Sequence, residues 1–503
     1  MVIENKHKSL LVFGLLLGIF ASAIDNTIVA TAMPTIVGDL GGSDKFVWVT
    51  SAYIVMVMAG MPIFGKLSDM YGRKKFFMFG LSVFLIGSML CGLADSIVQL
   101  SIFRAIQGIG GGALMPIAFT IVFDIFPPQQ RGKMTAALGA VFGLSSVIGP
   151  LLGAIITDSI SWHWIFYVNV PIVAVSMLLV LFTYHESKQH ANQTIDWFGA
   201  ITLVIGVVAL MFGLELGGKE FAWDSIQSIL LFTTFAVMFV AFILIERKAK
   251  DPVISFWMFK DRLFASSQAL AFFYGAAFLP LTVFVPIIIS ARFGGSSIDS
   301  SLVLTPMMLG SVAGSATSGF SQTKFKFRNI ILVSLTAFIV GMYFMSTITP
   351  ETSRTLITIF MILCGYGIGF NFSLLPTTSM HHIDARHRGS ANSTNQFFRT
   401  LGMTIGISIF GSLQSNLLTE KLTSAFSGMG GSGMPANLDS SSMFKSEVRK
   451  TIPPEILNKI IHSIYESITP IFSICVIVIA VAFIAAFFMG NERIVVKKNA
   501  EGK

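Results

Sequence analysis

Apolar residues run along this chain in blocks of about 20, and short stretches with charged residues, Gly or Pro separate the blocks. An α-helix rises about 1.5 Å per residue, so a block of this length crosses the ~30 Å hydrocarbon core of a bilayer. The pattern predicts an all-α integral membrane protein with about fourteen transmembrane helices. They are expected near residues 10–32, 46–65, 76–94, 99–121, 134–157, 165–183, 197–217, 225–246, 263–290, 299–320, 329–348, 355–376, 390–412 and 466–489.

The composition supports a lipid environment and argues against other classes. The 503 residues are 53% hydrophobic and 12% charged, which leaves too little polar surface to cover a soluble core of this size. The net charge of +8 does not indicate nucleic acid, because Lys and Arg lie in short turns without a contiguous basic face. The three Cys lack metal-ligand spacing, and the Gly-rich strings follow apolar helices rather than strands. No metal, nucleotide or other cofactor is therefore expected.

Charge also predicts the orientation in the membrane. The first block is longer than the apolar region of a signal peptide, carries Asp25 and lacks a small-residue cleavage pattern, so we expect a retained span. With the N-terminus in the cytoplasm, most of the 34 Lys and Arg residues fall on the cytoplasmic side. Both termini are then cytoplasmic, in a multi-pass protein of the cell membrane.

An internal repeat divides the chain. A Gly-Ile-Gly string, a Pro and an Arg-Gly pair occur in the same order twice, offset by about 258 residues; they are Gly108, Gly110, Pro116 and Arg131, then Gly367, Gly369, Pro376 and Arg388. Two similar six-helix bundles are predicted, at 1–190 and 256–503, with a site at their interface. Residues 191–255 hold two spans without a repeat partner and are interpreted as a central insertion. A long extracellular loop is expected near 413–465.

The predicted cytoplasmic turn between the second and third spans, 65–75, reads GKLSDMYGRKK. Its glycines permit a tight turn, and its Asp can accept hydrogen bonds from helix N-termini or an Arg in one conformational state. On physical grounds alone, a basic loop that only fixes topology is an equal alternative. The residues predicted to form a gate at this face are Gly65, Asp69, Gly72, Arg73 and Arg131.

This turn resembles the signature loop of the major facilitator superfamily. Residues 24–36 (IDNTIVATAMPTI) and 104–116 (RAIQGIGGGALMP) are similar to the first-span and fourth-span motifs of its drug:proton antiporter branch, the EmrB/QacA type. The fifth span resembles the motif associated with antiporters through Gly139, Gly143, Gly149, Pro150 and Gly153. The resemblance covers nearly the whole chain.

The resemblance implies two six-helix bundles with two extra central spans, and a transporter rather than an enzyme. It implies proton-driven export of lipophilic, monocationic or neutral drug-like compounds by alternating access, with no cofactor. Two departures are present: Thr323 stands in the second half where Asp69 stands in the first, and no acidic residue lies in the thirteenth span. Export of doubly charged cations is therefore not expected.

Asp25 is the acidic residue deepest in a predicted span, about 12 Å from the outer end at ~1.5 Å per residue. A carboxylate there costs about 2.5–3.5 kcal/mol on insertion scales, so we expect it to face a cavity and to exchange a proton against substrate. Arg104 enters the fourth span to a comparable depth and can pair with it. The alternatives are an Arg104 bonded to backbone carbonyls and an Asp25 bonded to Asn26, Thr27 or a neighbouring helix.

Further candidates lie in other spans. Arg399, near the middle of the thirteenth span, can orient substrate or neutralise an acid, and Asn395 and Asn26 complete the predicted coupling and substrate set. The glycines of the fifth span serve either general packing or a state-dependent gate. Asp124 is expected to form an ion pair with Arg131 rather than to carry protons.

Three other functions remain compatible with this sequence. A facilitator or symporter for a metabolite would use the same fold, but a sugar site needs more hydrogen-bonding groups than the spans contain. A lipid flippase and a membrane sensor without transport are further alternatives. The identity of the substrate and the existence of an adaptor protein cannot be predicted, because Phe-rich and Met-rich cavities bind many shapes.

Overall fold

The computed structural model describes residues 5–41, 47–186, 194–218, 220–294, 304–427 and 453–494. Within these ranges the regular elements are helices. The α-helices are α1 (Asn5–Leu40), α2 (Val47–Tyr71), α3 (Arg73–Cys91), α4 (Ile97–Ile125), α5 (Pro128–Ser159), α6 (Trp164–Tyr167), α7 (Asn169–Thr183), α8 (Trp197–Leu216), α9 (Ile226–Glu246), α10 (Arg262–Phe293), α11 (Thr305–Ser321), α12 (Phe327–Ser346), α13 (Arg354–Met380), α14 (Arg388–Phe426) and α15 (Pro454–Phe487). Short 3₁₀ turns cover Phe256–Lys260 and Ala385–His387.

Thirteen stretches of the described chain are long and apolar enough to cross a membrane, and α6 and α7 together form one of them. The remaining predicted span coincides with α11, whose 17 described residues fall just short of a crossing. Residues 299–303 of that predicted span lie outside the described residues. The all-α membrane fold is confirmed, and its helices follow the predicted order.

Several helices, α14 and α15 among them, are longer than the apolar blocks that predict them. Near the predicted extracellular loop, 413–465, α14 continues to Phe426 and α15 begins at Pro454, so both ends of that loop are helical. Polar contacts join the two extensions: Lys421 Nζ lies 3.1 Å from Glu466, and Lys459 Nζ donates to the Ala425 carbonyl at 3.1 Å. Hydropathy marks where lipid ends, whereas a helix packed against a partner continues into water.

Separate buried clusters form in the two halves. One cluster in the N-terminal half joins α1, α2, α3, α4, α5 and α7, and the largest cluster joins α10 to α15 in the C-terminal half. α8 of the insertion packs on α2, where Leu203 and Val207 meet Val55 and Met58. α9 packs on α8 and keeps few residues buried, so most of its apolar surface faces the surroundings that a bilayer would fill.

Candidate functional site

Asp25 of α1 and Arg104 of α4 form an ion pair inside the N-terminal half, and both side chains are fully buried. Arg104 also donates to Gln107 Oε1 at 2.7 Å and to the Val49 carbonyl at 3.3 Å. Its guanidinium lies 4.2 Å from the centre of the Tyr53 ring. The pairing expected from equal depth is present, and a backbone carbonyl contributes as well.

Two amides complete the shell of the Asp25 carboxylate. Gln107 Nε2 donates to Asp25 Oδ1 at 2.8 Å, and Asn169 Nδ2, at the start of α7, donates to the same oxygen at 2.9 Å. Both amides also reach the Ser88 hydroxyl of α3, at 3.2 Å and 3.0 Å. Gln107 lies within the fourth-span motif but was not singled out, and no sequence signal marks Ser88 or Asn169.

The expectation that Asp25 faces a cavity is wrong for this conformation. Its side chain has no exposed surface, because Arg104, Gln107 and Asn169 replace the water that would solvate a carboxylate. The adjacent Asn26 is not part of this cluster, and its Oδ1 is buried without a hydrogen-bond partner among the described residues. In this conformation the Asp25 carboxylate is therefore shielded from solvent.

A second polar cluster lies at the predicted cytoplasmic face, where Asp69 of α2 meets the N-terminus of α14. The backbone N–H groups of Gly389 and Ser390 each donate to a different oxygen of Asp69 at 2.8 Å. Arg73 donates to Asp69 at 3.3 Å. The carboxylate thus occupies the positive end of a helix dipole that belongs to the opposite half.

Asp124 of α4 lies between two arginines and joins the halves in the same cluster. It contacts Arg73, and Arg388 donates to it at 2.8 Å. The predicted pair of Asp124 with Arg131 is wrong: Arg131 donates to the Phe126 carbonyl at 3.0 Å and stacks on Phe123 instead. The nearer guanidinium groups of Arg73 and Arg388 already neutralise the Asp124 carboxylate.

The two glycines of the predicted turn have different roles. Gly72 has a φ of 112° between α2 and α3 and makes the turn, as predicted. Gly65 lies inside α2, where a Cβ atom would collide with the Ser393 side chain of α14. Gly65 therefore allows the close approach of two helices from opposite halves rather than a turn.

The glycines of α5 face α11 and α13 of the C-terminal half and α1 of the N-terminal half. A Cβ at Gly139 would lie 2.8 Å from Ser315 Oγ of α11, and one at Gly143 would lie 2.8 Å from Val312 Cγ2. Near the other end, Gly149 and Gly153 lie against α1, beside Thr27 and Ile28, with Pro150 between them inside the helix. α5 thus approaches helices of both halves through positions without side chains.

A cavity of about 100 Å³ lies where α5 meets the C-terminal half, and Arg399 of α14 lines it. Apolar side chains form most of its wall, with a few amide and hydroxyl groups. The lining includes Phe142, Ser146, Tyr274, Phe278, Met307, Met308, Ser311, Asn371, Phe372 and Met403. Asn395 is not among the lining residues; it donates to the Ser267 carbonyl at 3.1 Å and to Gln268 at 3.2 Å, which ties α14 to α10.

These features define a helical membrane transporter: two groups of spans with separate cores, a cavity between them, a polar cluster that joins them at one face and a buried carboxylate in one of them. The profile of the Major Facilitator Superfamily matches residues 15–407. The chain therefore belongs to the Major Facilitator Superfamily.

Curated relatives match over nearly the full chain. It is 59% identical over 502 residues to Multidrug resistance protein 3 of Bacillus subtilis (strain 168), covering 99% of this chain and 98% of that protein. It is 34% identical over 515 residues to Multidrug transporter protein MdtP of the same organism, covering 98% and 95%.

Among solved structures, the human organic anion transporter MFSD10 has a TM-score of 0.62 at 13% identity, covering 94% of this chain and 99% of that chain. A bacterial homologue of the human lysosomal transporter Spinster has a TM-score of 0.56 at 16% identity, covering 97% and 98%. At these identities both similarities support the fold alone.

Proposed function

We propose that this protein is a fourteen-span drug:proton antiporter of the EmrB/QacA type, which exports lipophilic drug-like molecules in exchange for protons. The relatives named as multidrug proteins support the substrate class. The observation that carries proton coupling is the fully buried Asp25 carboxylate, held by Arg104, Gln107 and Asn169 within a span.

The ion pair links proton binding to conformation. Protonation of Asp25 removes the negative charge that compensates Arg104, and an uncompensated buried cation is strongly unfavourable. The protonated state therefore favours an arrangement in which Arg104 reaches water or another acceptor. A proton thus shifts the balance between two conformations because its affinity differs between them.

The cluster around Asp69 supplies the gate in this proposal. Asp69, Asp124 and their partners hold α2 and α4 against α14 at one face. With both termini in the cytoplasm, that face is the cytoplasmic one, and this conformation is closed there. Substrate reaches the cavity from the cytoplasm after these contacts break. The glycines of α5 allow the halves to move with little steric hindrance.

The test is uphill transport by purified protein in vesicles with an imposed proton gradient. Wild-type protein should accumulate a lipophilic substrate and lose that accumulation when an uncoupler dissipates the gradient. Asp25→Asn should abolish uphill transport and the release of protons on substrate addition, because an amide does not titrate, whereas Asp25→Glu keeps some activity. Asp95→Asn, at an exposed loop position, is the matched control.

Uphill transport that survives the uncoupler would contradict proton coupling. Equal proton release from wild type and Asp25→Asn would place the coupling carboxylate elsewhere, while the export function would stand.

A further inference from the structure

Arg399 is a buried cation that lacks an anionic partner within the described part of the chain. It is 9% exposed and lines the cavity between α5, α10, α11, α13 and α14. Its Nη2 lies 3.2 Å from the Met115 sulfur of α4, and its Nε has no hydrogen-bond partner among the described residues. The faces of Phe372 and Phe142 lie 5.2 Å and 5.7 Å from the guanidinium.

Arg104, in the same protein, shows such a charge with an anionic partner, although its Nη2 also has no hydrogen-bond partner among the described residues. Its guanidinium meets a carboxylate, an amide oxygen and a backbone carbonyl. Within the described ranges, the groups recorded around the Arg399 guanidinium are ring faces and a thioether, which replace lost hydration less well than an anion does. A guanidinium presents several N–H donors in a planar fork that matches a carboxylate. An acceptor that arrives with a ligand in the adjoining cavity would supply such a partner.

The side chains that line the cavity around Arg399 indicate the chemistry of the rest of such a ligand. Phe142 and Phe372 stack on each other with ring centres 5.6 Å apart, and Phe278 meets Phe372 edge to face at 6.3 Å. Asn371 and Ser311 add a few polar groups to this largely aromatic surface. A cavity lining of this kind fits an aromatic ligand whose acidic group points to Arg399.

We propose that Arg399 is the docking point for the anionic group of the substrate, and that the preferred substrates are aromatic molecules with a carboxylate, as acids or zwitterions. This inference rests on the proposed export function and replaces the monocationic or neutral substrates expected from the sequence. A cavity of about 100 Å³ is smaller than the ~300–1,000 Å³ of drug-sized sites, so binding widens it.

The probes for the test are 2-naphthoic acid, its methyl ester and 2-naphthylmethylamine, which share one ring system. Binding to purified wild type at pH 7.5 should favour the acid over the ester and the amine by about tenfold or more, as expected for a charge-assisted hydrogen bond. Arg399→Gln should weaken acid binding by about tenfold to a hundredfold and leave ester binding within about threefold. The acid affinity of Arg399→Lys should lie between those of wild type and Arg399→Gln. Arg354→Gln, at an exposed position of α13, is the control.

Equal binding of acid and ester by the wild type would overturn the proposal, and this comparison does not depend on any variant folding. Equal loss of acid and ester binding in a folded Arg399→Gln would also overturn it, since that result indicates a structural role. Proton-driven uptake of the same probes into vesicles separates the two proposals. Transport without preference for the acid contradicts this inference alone, and acid-selective binding without proton-driven transport contradicts the proposed function alone.

Discussion

Arg104 and Arg399 are two buried arginines of this membrane protein, and their different surroundings indicate different roles. Arg104 is compensated within its own half, so protonation of Asp25 or its replacement by a neutral residue alters the net charge of a dry site. Arg399 is not compensated among the described residues, so its environment changes when a ligand arrives. The role of a buried charge therefore depends on the groups within hydrogen-bond distance of it rather than on its position in a span.

The ion pair leads to a prediction about stability. Asp25→Asn leaves Arg104 as an unpaired buried cation, and breaking such a pair from one side costs about 3–5 kcal/mol. The single variant should therefore melt at a clearly lower temperature in detergent than wild type. The double variant Asp25→Asn with Arg104→Gln removes the orphaned charge and should recover much of that loss, yet remain unable to drive uphill transport.

Additive losses in the double variant would contradict a direct pair. Recovery of uphill transport with stability would show that proton coupling does not need this carboxylate.

Depth along a span indicated Asp25 and Arg104 as possible partners, since charges in spans are few, but it left an Arg104 bonded to backbone carbonyls as the alternative. The same reasoning could not find Gln107, Ser88 or Asn169, because uncharged polar residues occur throughout the spans and their partners depend on how helices rotate. It was also not predictable that Arg399 lacks an anionic partner among the described residues, because this depends on which side chains the neighbouring helices place around it.

At the scale of elements, close approach between α2 and α14 depends on Gly65. A methyl group there would overlap Ser393, and the neighbouring backbone leaves no room for it to move aside. Gly65→Ala should separate the two helices, weaken the hydrogen bonds that Asp69 accepts and slow transport severalfold. Gly411→Ala is the matched control in α14 itself, because nothing lies within 4 Å of its added Cβ.

Crosslinking between cysteines placed at the facing ends of α2 and α14 would report the separation. An unchanged crosslinking yield in Gly65→Ala would contradict the close-approach role.

The N-terminus of α10 gives a prediction about pH. Asp261 accepts from the backbone N–H groups of Leu263 and Phe264 at 2.7 Å and 3.0 Å and contacts His382 Nδ1 at 2.7 Å. Burial alone would raise the pKa of Asp261, but these donors outweigh it and hold the pKa below its ordinary value. A depressed carboxylate pKa stabilises the fold at neutral pH, and that contribution disappears as the pH falls through the folded-state pKa.

Asp261→Ala should therefore lower the melting temperature at pH 7, by an amount that corresponds to about 1 kcal/mol for a lost helix cap. Melting curves recorded at decreasing pH should show the difference from wild type shrinking. A difference that is constant with pH would mean that the carboxylate charge contributes nothing.

The sequence predicted the helices better than their ends. Apolar blocks identify the part of a helix that lies in lipid, but α14 and α15 extend into water because they pack on each other there. Gly65 illustrates the same limit: a glycine inside a helix and a glycine in a turn look alike until the neighbouring helix is known.

For the whole molecule, the proposed gate predicts that the contacts of Asp69 set the balance between the closed and open states of its face. Asp69→Asn keeps an acceptor but loses the charge that interacts with the α14 dipole and Arg73, so the closed state should lose population. Ser393→Cys provides a buried reporter beside Gly65, and the native Cys91, Cys364 and Cys475 are themselves buried. Alkylation of Ser393→Cys should be several times faster in the Asp69→Asn background.

The control for that measurement is Asp95→Asn in the same Ser393→Cys background, which should leave the rate unchanged. Equal alkylation rates with and without Asp69→Asn would contradict a gating role for Asp69.

α5 meets helices of both halves through glycines, while Thr27 Oγ1 of α1 donates to the Ser145 carbonyl of α5 at 3.2 Å. Where side chains of two helices interlock, the helices move between a few fixed positions, because side-chain rotamers have to change before one helix can shift along the other. Gly139 and Gly143 present no side chains to α11, so we expect α5 to shift along α11 with fewer rotamer changes than an interlocked interface needs, while Thr27 keeps it joined to α1. Distances between labels on α5 and α11 should accordingly spread over a continuous range, whereas labels at the Asp69 face should report two sharp values.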